Sequence, residues 1–284
     1  MRTDLYTITT LTNMHVGSGD INFDIIDKQV QRGAISKLPI IHSSSLKGAF
    51  RENFAEYDYD EVENKLIKKL DSNMVKYIFG PSNSENSHQT GAFSFLEASL
   101  LTRPVRSSLK AHFNATSPSV IKSLLETIDT FDVAFNEEDK KALVELSELE
   151  PKKGEPFIFE ELKDAILEDY EASYKAFNVS KLKEFLGEDL ALFNDADFKK
   201  LELPILARNH LENGVSQNLW YEEVVPKGSK FFFAILKPTN LDERDKQEKL
   251  DKFEKGFEKN IRRVQIGANK SIGYGFNRVE KVLL

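Results

Sequence analysis

The chain has 284 residues, enough for one elaborated domain or two closely packed ones, and 40% hydrophobic residues with 21 phenylalanines can form a sizeable core. It has no cysteine, which excludes disulfides and thiolate metal sites, and no apolar run approaches the roughly 20 residues that span a bilayer. A net charge of −7 argues against a nucleic-acid protein, yet residues 129–200 hold 20 acidic against 10 basic side chains, a local −10 that leaves +3 elsewhere. Met1-Arg2-Thr3-Asp4 has no signal-peptide pattern, so a cytoplasmic protein with no membrane partner is expected.

Leu5 to Leu11, where threonines partly alternate with apolar residues, is predicted as the opening strand. A helix is predicted from Ser43, capped by Ser44 or Ser45, with Leu46, Phe50 and Phe54 as its apolar stripe. Phe93 to Leu101 reads as a second strand, and Ser117-Pro118 opens a second helix to about Thr127. Phe157 to Phe159 reads as a short strand, and residues 161–200 read as helical with breaks. Ile205 to Leu211 and Val215 to Val225 flank Glu212-Asn213-Gly214, and Asn-Gly between extended runs signals a hairpin. Pro226-Lys227-Gly228-Ser229 then turns into Lys230 to Leu236, expected as a third strand of that meander. A charged helix over about Leu241 to Asn260 and a strand pair around a glycine loop end the chain. Strands and helices alternate in an α+β manner.

Three motifs carry chemistry. His15-Val16-Gly17-Ser18-Gly19, followed by Ile25-Ile26-Asp27 and Gln31-Arg32, suits nucleic acid. Its glycines admit close backbone approach, His15 and Arg32 can hold phosphate or stack on a base, and Asp27 is the charge-switching group. Near the other end, Gln265 to Phe276 carries Gly267, Gly273 and Gly275 with Asn269 and Lys270, a pattern suited to backbone N–H groups facing phosphates. Phe276-Asn277-Arg278-Val279 reads as a strand, which argues against a dinucleotide fingerprint. The helix start Ser43, Ser44 and Ser45 with Lys47 and Arg51 fits phosphate as well, or simply a serine-capped amphipathic helix. Arg103, Arg106 and Lys110 are a weaker candidate for the same backbone.

With Leu219-Trp220-Tyr221-Glu222-Glu223 and Pro226, Ser45-Leu46-Lys47-Gly48, and Phe79-Gly80-Pro81, these motifs resemble the RAMP superfamily, RNA-binding proteins of CRISPR effector complexes. Within it they are similar to the fourth-subunit family of the Cmr (type III-B) complex. The motifs run in that order from residue 15 to 276, with little to match between about 120 and 200.

The resemblance implies a modified ferredoxin-like (RRM-like) α+β fold over 1–284 as a single domain, with a glycine-rich loop. The sequence itself reads as an inserted, acidic, mostly helical region at about 129–200, and the resemblance implies a projecting hairpin thumb at about 205–225, with Leu211, Asn213, Gly214 and Val215 at its tip. The implied function is a backbone subunit that lines up in several copies, beside other Cmr subunits, along a CRISPR guide RNA and its paired single-stranded target. His15, Gly17, Ser18, Gly19, Arg32, Ser43, Ser44, Ser45, Lys47, Arg51, Gly267, Asn269, Lys270, Gly273 and Gly275 are then its RNA contacts. Asp27 is implied as catalytic in metal-dependent endoribonuclease cleavage of the target at regular intervals, one site per copy. Asp27, with Asp24, would attract Mg²⁺ or Mn²⁺. RNA supplies its own 2′-hydroxyl nucleophile, so a cyclic phosphate would result.

Two positions depart from the family pattern, Gly33 after Gln31-Arg32 and Lys28 before Gln29. Other readings stay open: a loop-capping Asp27, a plain surface hairpin, a non-catalytic structural subunit, a guide-processing RAMP endonuclease relying on histidine, and a nucleotide-binding enzyme.

Overall fold

The computed structural model describes residues 1–19, 26–54, 56–60, 65–69, 73–81, 90–239, 244–258 and 262–282. In chain order its principal elements are β1 (Arg2–Thr10), α1 (Ser43–Phe54), β2 (Ala98–Val105), β3 (Phe113–Thr116), α2 (Pro118–Thr130), α3 (Glu137–Ser147) and β4 (Leu190–Leu192). They continue with the paired β5 (Ile205–Glu212) and β6 (Val215–Glu223), then β7 (Lys230–Lys237), α4 (Arg244–Glu258), β8 (Arg262–Gln265) and β9 (Phe276–Lys281).

Threonine, β-branched and aromatic residues favour a pleated strand in β1, which pairs with β7 and β9 along its two edges and is buried on both faces. The centre of the main sheet reads β2-β7-β1-β9, with every neighbouring pair antiparallel. α1 connects β1 to β2 and α4 connects β7 to β9, so a strand–helix–strand unit occurs twice in one sheet. β8 extends the sheet beyond β9, while β3 and β4 extend it beyond β2.

One aromatic column joins the two helices to the sheet. Leu46, Phe50 and Phe54, four apart on α1, form the buried stripe expected of them. Phe50 lies 5.7 Å from Phe233 of β7, and Phe54 stacks at 4.7 Å on Phe253 of α4. Phe253 also meets Phe93 edge-on at 5.2 Å. A buried Lys237 pins α4 at the next residue: its Nζ donates to Asp4 Oδ2 at 2.7 Å, Tyr6 Oη at 3.0 Å and Glu254 Oε1 at 3.1 Å. Burial pushes the Asp4 carboxyl up, but the hydrogen bonds and charges of Lys237 and Lys281 outweigh it and hold the group below its ordinary range.

Several sequence expectations need correction. α1 starts at Ser43 with the His42 carbonyl accepting from Leu46 N, so neither Ser44 nor Ser45 caps it. Phe93 to Leu101 is divided between a two-residue strand, Ser94–Phe95, and β2. The acidic insertion is not mostly helical: beyond α3 it holds the short strands Phe157–Ile158, Ile166–Leu167, Tyr170–Glu171, Ser173–Tyr174 and β4, with one-turn helices at Lys183–Leu186 and Asp195–Phe198. Asp164, Glu168 and Gly187 adopt positive φ and stop helical propagation there. β7 is not the third strand of a meander, because it pairs with β1 and β2 and not with β6. The β5–β6 hairpin is present, with φ of 52° at Asn213 and 80° at Gly214, as a turn with two left-handed central residues requires. Among the described residues no helix is long and apolar enough to cross a membrane.

Because Phe253 is fully buried between Phe54 and Phe93, Phe253→Ala leaves a cavity that neither helix can close. Urea denaturation should show a loss of about 3–5 kcal/mol.

Candidate active site and nucleic-acid interface

At the root of β6, alternation along the strand sends the neighbouring carboxylates Glu222 and Glu223 to opposite faces, and both are buried. Burying a carboxylate is costly unless it is paired and hydrogen-bonded, and each of these recruits its partners from remote segments. Glu222 accepts from Arg208 Nε of β5 at 3.0 Å and from Asn269 Nδ2 at 2.9 and 3.0 Å, with His15 Nε2 3.8 Å away. The Arg208 guanidinium lies 4.5 Å over the Tyr274 ring, which adds the glycine-rich segment to the cluster a second time. Glu223 accepts from Val30 N at 3.1 Å and pairs with Arg32 Nη2, and its backbone carbonyl accepts from His15 Nδ1 at 2.7 Å. Segments 13–19, 26–32 and 265–276 therefore converge on two adjacent residues of the hairpin.

Asp27 sits on this frame. Its segment runs parallel to β6, with Lys28 N donating to Tyr221 O at 3.1 Å and Glu223 N donating to Lys28 O at 2.9 Å. Asp27 itself is exposed, and its Oδ2 accepts from the Tyr221 backbone N–H at 2.7 Å. No other protein partner of its carboxylate occurs among the described residues. Lys28, which departs from the family pattern, lies 5.0 Å over the Trp220 ring. Gly33, the other departure, starts a tight turn in which Lys37 N donates to Gly33 O at 2.9 Å, and a Cβ there would lie 2.4 Å from Ser36 Oγ.

Gln31 joins this site to the start of α1. Its Nε2 donates to Gly17 O at 3.2 Å and Ser45 Oγ at 3.0 Å, while its Oε1 accepts from His42 N at 2.8 Å. Gly17 bridges to Val30, and Ser18 N donates to Gln29 O at 3.1 Å. Exposed Gly19, at φ +85°, is the last described residue before the gap that contains Asp24. The Asp24 expectation thus falls outside the described residues.

The expected RNA contacts divide into distinct groups. His15 is only 3% exposed, so its ring has no open face on which a base could stack. Arg32 is occupied by Glu223 and the Lys37 carbonyl, and the Asn269 amide by Glu222. Gly267 and Gly275 are required by the protein's own packing: at φ +88° and +72°, added Cβ atoms would lie 2.3 Å from His15 O and 2.1 Å from Ile266 O. Gly273, at φ +87°, faces open space, and Lys270 beside it is exposed without an ion-pair partner among the described residues.

On α1, Ser44 is exposed and Ser43 half-buried, and Ser45 turns toward Gln31. Lys47 follows Ser45 by two residues, about 200° around the helix, and so occupies the opposite flank. There burial, then the Arg51 charge, push the Lys47 ammonium below its ordinary value, and Arg51 Nη1 donates to Pro81 O at 3.2 Å. The helix thus separates Lys47 and Arg51 from the glycine-rich segment. The weaker candidates are occupied elsewhere. Arg103 is buried, donates to Leu201 O at 2.8 Å and Glu202 O at 2.7 Å, and is pushed down to about 10 by burial. Arg106 pairs with Glu168, and Lys110 pairs with Glu160 and Asp189 of the acidic insertion.

Among the described residues no group of three or more carboxylates and histidines forms a cage for a metal. An exposed aspartate with one uncommitted oxygen still suits Mg²⁺, which keeps several waters and binds through one or two carboxylates together with substrate phosphates.

Sequence reasoning named Glu222, Glu223 and Gln31 only as parts of motifs, and gave no role to Arg208 or Tyr274. The available signal was an acidic doublet at the end of an apolar and aromatic strand, where carboxylates need partners.

These features place the chain in a known class of α+β protein. The RAMP superfamily profile matches residues 7–279, and the chain belongs to that superfamily. It is 28% identical, over 305 aligned positions covering 98% of this chain and 95% of the other, to the CRISPR system Cmr endoribonuclease Cmr4 of Pyrococcus furiosus. Its fold is similar to a chain in the cryo-EM structure of the type III-B Cmr-beta bound to cognate target RNA, with a TM-score of 0.74, 22% identity, and 99% and 97% of the two chains covered. It is likewise similar to oligomeric Cmr4 from Pyrococcus furiosus, with a TM-score of 0.71, 22% identity, and 99% and 98% covered.

Replacing Glu222 with leucine strands Arg208 and Asn269 inside the cluster. The chain should lose about 3–5 kcal/mol in urea denaturation, and hydrogen exchange should quicken over residues 26–32 and 265–275 before the rest of the sheet.

Proposed function

We propose that this chain is the CRISPR-RNA-binding backbone subunit of a type III-B effector complex and cleaves guide-paired target RNA at regular intervals, with one endoribonuclease site per copy. Membership of the RAMP superfamily and the Cmr4 relative support that reading. The observation that carries the chemistry is Asp27, an exposed carboxylate held by one oxygen on the backbone of the hairpin strand. The strand order β2-β7-β1-β9, with crossovers through α1 and α4, supports the modified ferredoxin-like description. Guide RNA, single-stranded target RNA, further copies of the chain and other Cmr subunits are its partners, and the cytoplasm is its compartment.

The reaction uses the nucleophile that RNA carries. A ribose 2′-hydroxyl brought in line with the adjacent phosphate gives up its proton to Asp27 as the 2′-oxygen bonds to phosphorus. The 5′-oxygen leaves with a proton from water, and a 2′,3′-cyclic phosphate remains. A bound divalent metal, Mg²⁺ or Mn²⁺, would supply charge stabilisation at the phosphate, and Asp27 would then place the metal instead of taking the proton, because only one of its oxygens is uncommitted. Helical RNA holds its 2′-hydroxyls out of line, so a base must first be displaced. The hairpin is suited to that as a thumb: Leu211 and Val215 beside the Asn213-Gly214 turn are 58% and 60% exposed, and apolar side chains can wedge between bases.

Asp27→Ala should abolish cleavage in the assembled complex while guide and target binding stay nearly intact. Asp27→Asn tests the group more sharply, because an amide oxygen can still accept from Tyr221 N while the base is lost. Single-turnover cleavage should fall at least about 100-fold in both, and comparable cutting at saturating Mg²⁺ would remove Asp27 from the mechanism.

Trimming residues 209–217 to a tight Asn-Gly turn should strongly reduce cleavage and blur its spacing, leaving urea stability unchanged. Sequencing the cut ends reads both effects. Cuts at the same places and rate would sink the thumb assignment.

A further inference from the structure

A groove of about 560 Å³ lies on the flank of α1 opposite Lys47, lined by Leu11, Ala49, Asn53, Arg263, Lys270 and Phe276, with Glu52, Thr12 and Gln265 completing it. We propose that it takes one nucleotide of bound single-stranded RNA, with the base against Phe276 and the phosphate between Arg263 and Lys270. The proposal deepens the reading above and rests on it for the claim that this chain binds RNA.

Three observations carry it. The volume lies within the roughly 300–1,000 Å³ of small-molecule pockets, enough for one nucleotide. Part-buried Leu11, Ala49 and Phe276 supply an apolar surface with one aromatic ring, which fits the flat face of any base. Arg263 and Lys270 are exposed and have no ion-pair partner among the described residues, whereas Arg32, Arg103, Arg106 and Lys110 are all occupied by protein acceptors. Glu52 is the one carboxylate of the lining, so two cations leave the groove net positive and the phosphate belongs with them.

The polar groups of the groove also indicate what it does not read. Asn53 Nδ2 donates to Arg263 O at 2.9 Å, Gln265 Nε2 donates to Gly267 O at 2.9 Å, and Thr12 Oγ1 accepts from Phe276 N at 3.1 Å. With these groups engaged in the fold, the groove grips by stacking and charge and accepts any base. That matches a subunit whose sequence reading is delegated to base pairing.

The test uses the full chain and a fluorescein-labelled oligouridylate, followed by anisotropy at several salt concentrations. Arg263→Ala/Lys270→Ala should weaken binding about five- to thirty-fold and lower the log–log salt slope by roughly 0.7 for one lost phosphate contact. Ala49→Phe, which fills the groove and keeps both cations, should weaken binding by a similar factor with the slope unchanged, and an oligoadenylate should respond like the oligouridylate. In the assembled complex, 5-iodouridine placed in the guide or in the target should photo-crosslink to Phe276. The strand that gives the adduct identifies the source of the nucleotide.

Wild-type affinity in the double-alanine variant, or adducts from both strands that all map away from Phe276, would overturn the proposal. If the wild-type chain retains guide RNA and Asp27→Asn fails to cleave while the groove variants bind normally, the groove is wrong and the functional reading stands. If the wild-type chain retains no RNA, both fall together. Should Ala49→Phe misfold, the double-alanine variant and the crosslink decide.

Discussion

Two adjacent carboxylates with no water to face determine how this site is built. Glu222 and Glu223 cannot remain charged and buried without donors, and among the described residues the hairpin that carries them supplies only Arg208, from its other strand. The remaining donors, Val30 N, Arg32 and Asn269, come from two segments about 235 residues apart, and His15 lies between them. A hydrophobic contact would tolerate those segments sliding past one another. Directional bonds to a desolvated charge do not, so the cluster sets register as well as proximity. Asp27 inherits its position from this register, because Lys28 and Tyr221 are neighbours of residues that the cluster holds.

The same logic distributes the cations. On the proposed function, a chain of net charge −7 must keep its carboxylates away from phosphate. The acidic insertion does so partly by neutralising its own surroundings: Glu168 takes Arg106, and Glu160 with Asp189 takes Lys110. Exposed pairs of this kind add little stability, so their consequence is electrostatic. They neutralise basic charge in the loop between β2 and β3, while Lys47 on one flank of α1 and Lys270 and Arg263 on the other stand without ion-pair partners among the described residues.

What the sequence made legible follows the range of the interactions involved. The α1 stripe and the Asn213-Gly214 turn are local patterns, each readable within a few residues, and both occur as expected. The stretch 161–200 misleads because its many charged and alanine residues favour helix, while positive φ at Asp164, Glu168 and Gly187 and pairing of β4 to β3 come from tertiary context. His15 misleads for a related reason. A histidine beside two glycines looks like a binding residue, and only the fold brings a carbonyl from residue 223 to its Nδ1. The sequence pattern marks Gly267 and Gly275 for close approach to phosphate, whereas in the fold the backbone they approach is the protein's own, at His15 O and Ile266 O.

The geometry also couples the hairpin to Asp27. β6 carries Val215 near the hairpin tip and, six residues further along, the Tyr221 N–H that holds Asp27. A strand rises roughly 3.3 Å per residue, so the tip and the carboxylate are about 20 Å apart along one continuous element. A register shift at His210 and Leu211 interrupts the hairpin near its tip, while the root is fixed by the buried carboxylates. On the proposed function, bending at that irregularity would let the tip adapt to RNA while the Asp27 anchor stays in place. A hairpin acting as the proposed thumb must yield at one end and stay rigid at the other, and the placement of Glu222 and Glu223 at the root, with the irregularity toward the tip, meets both demands within one hairpin.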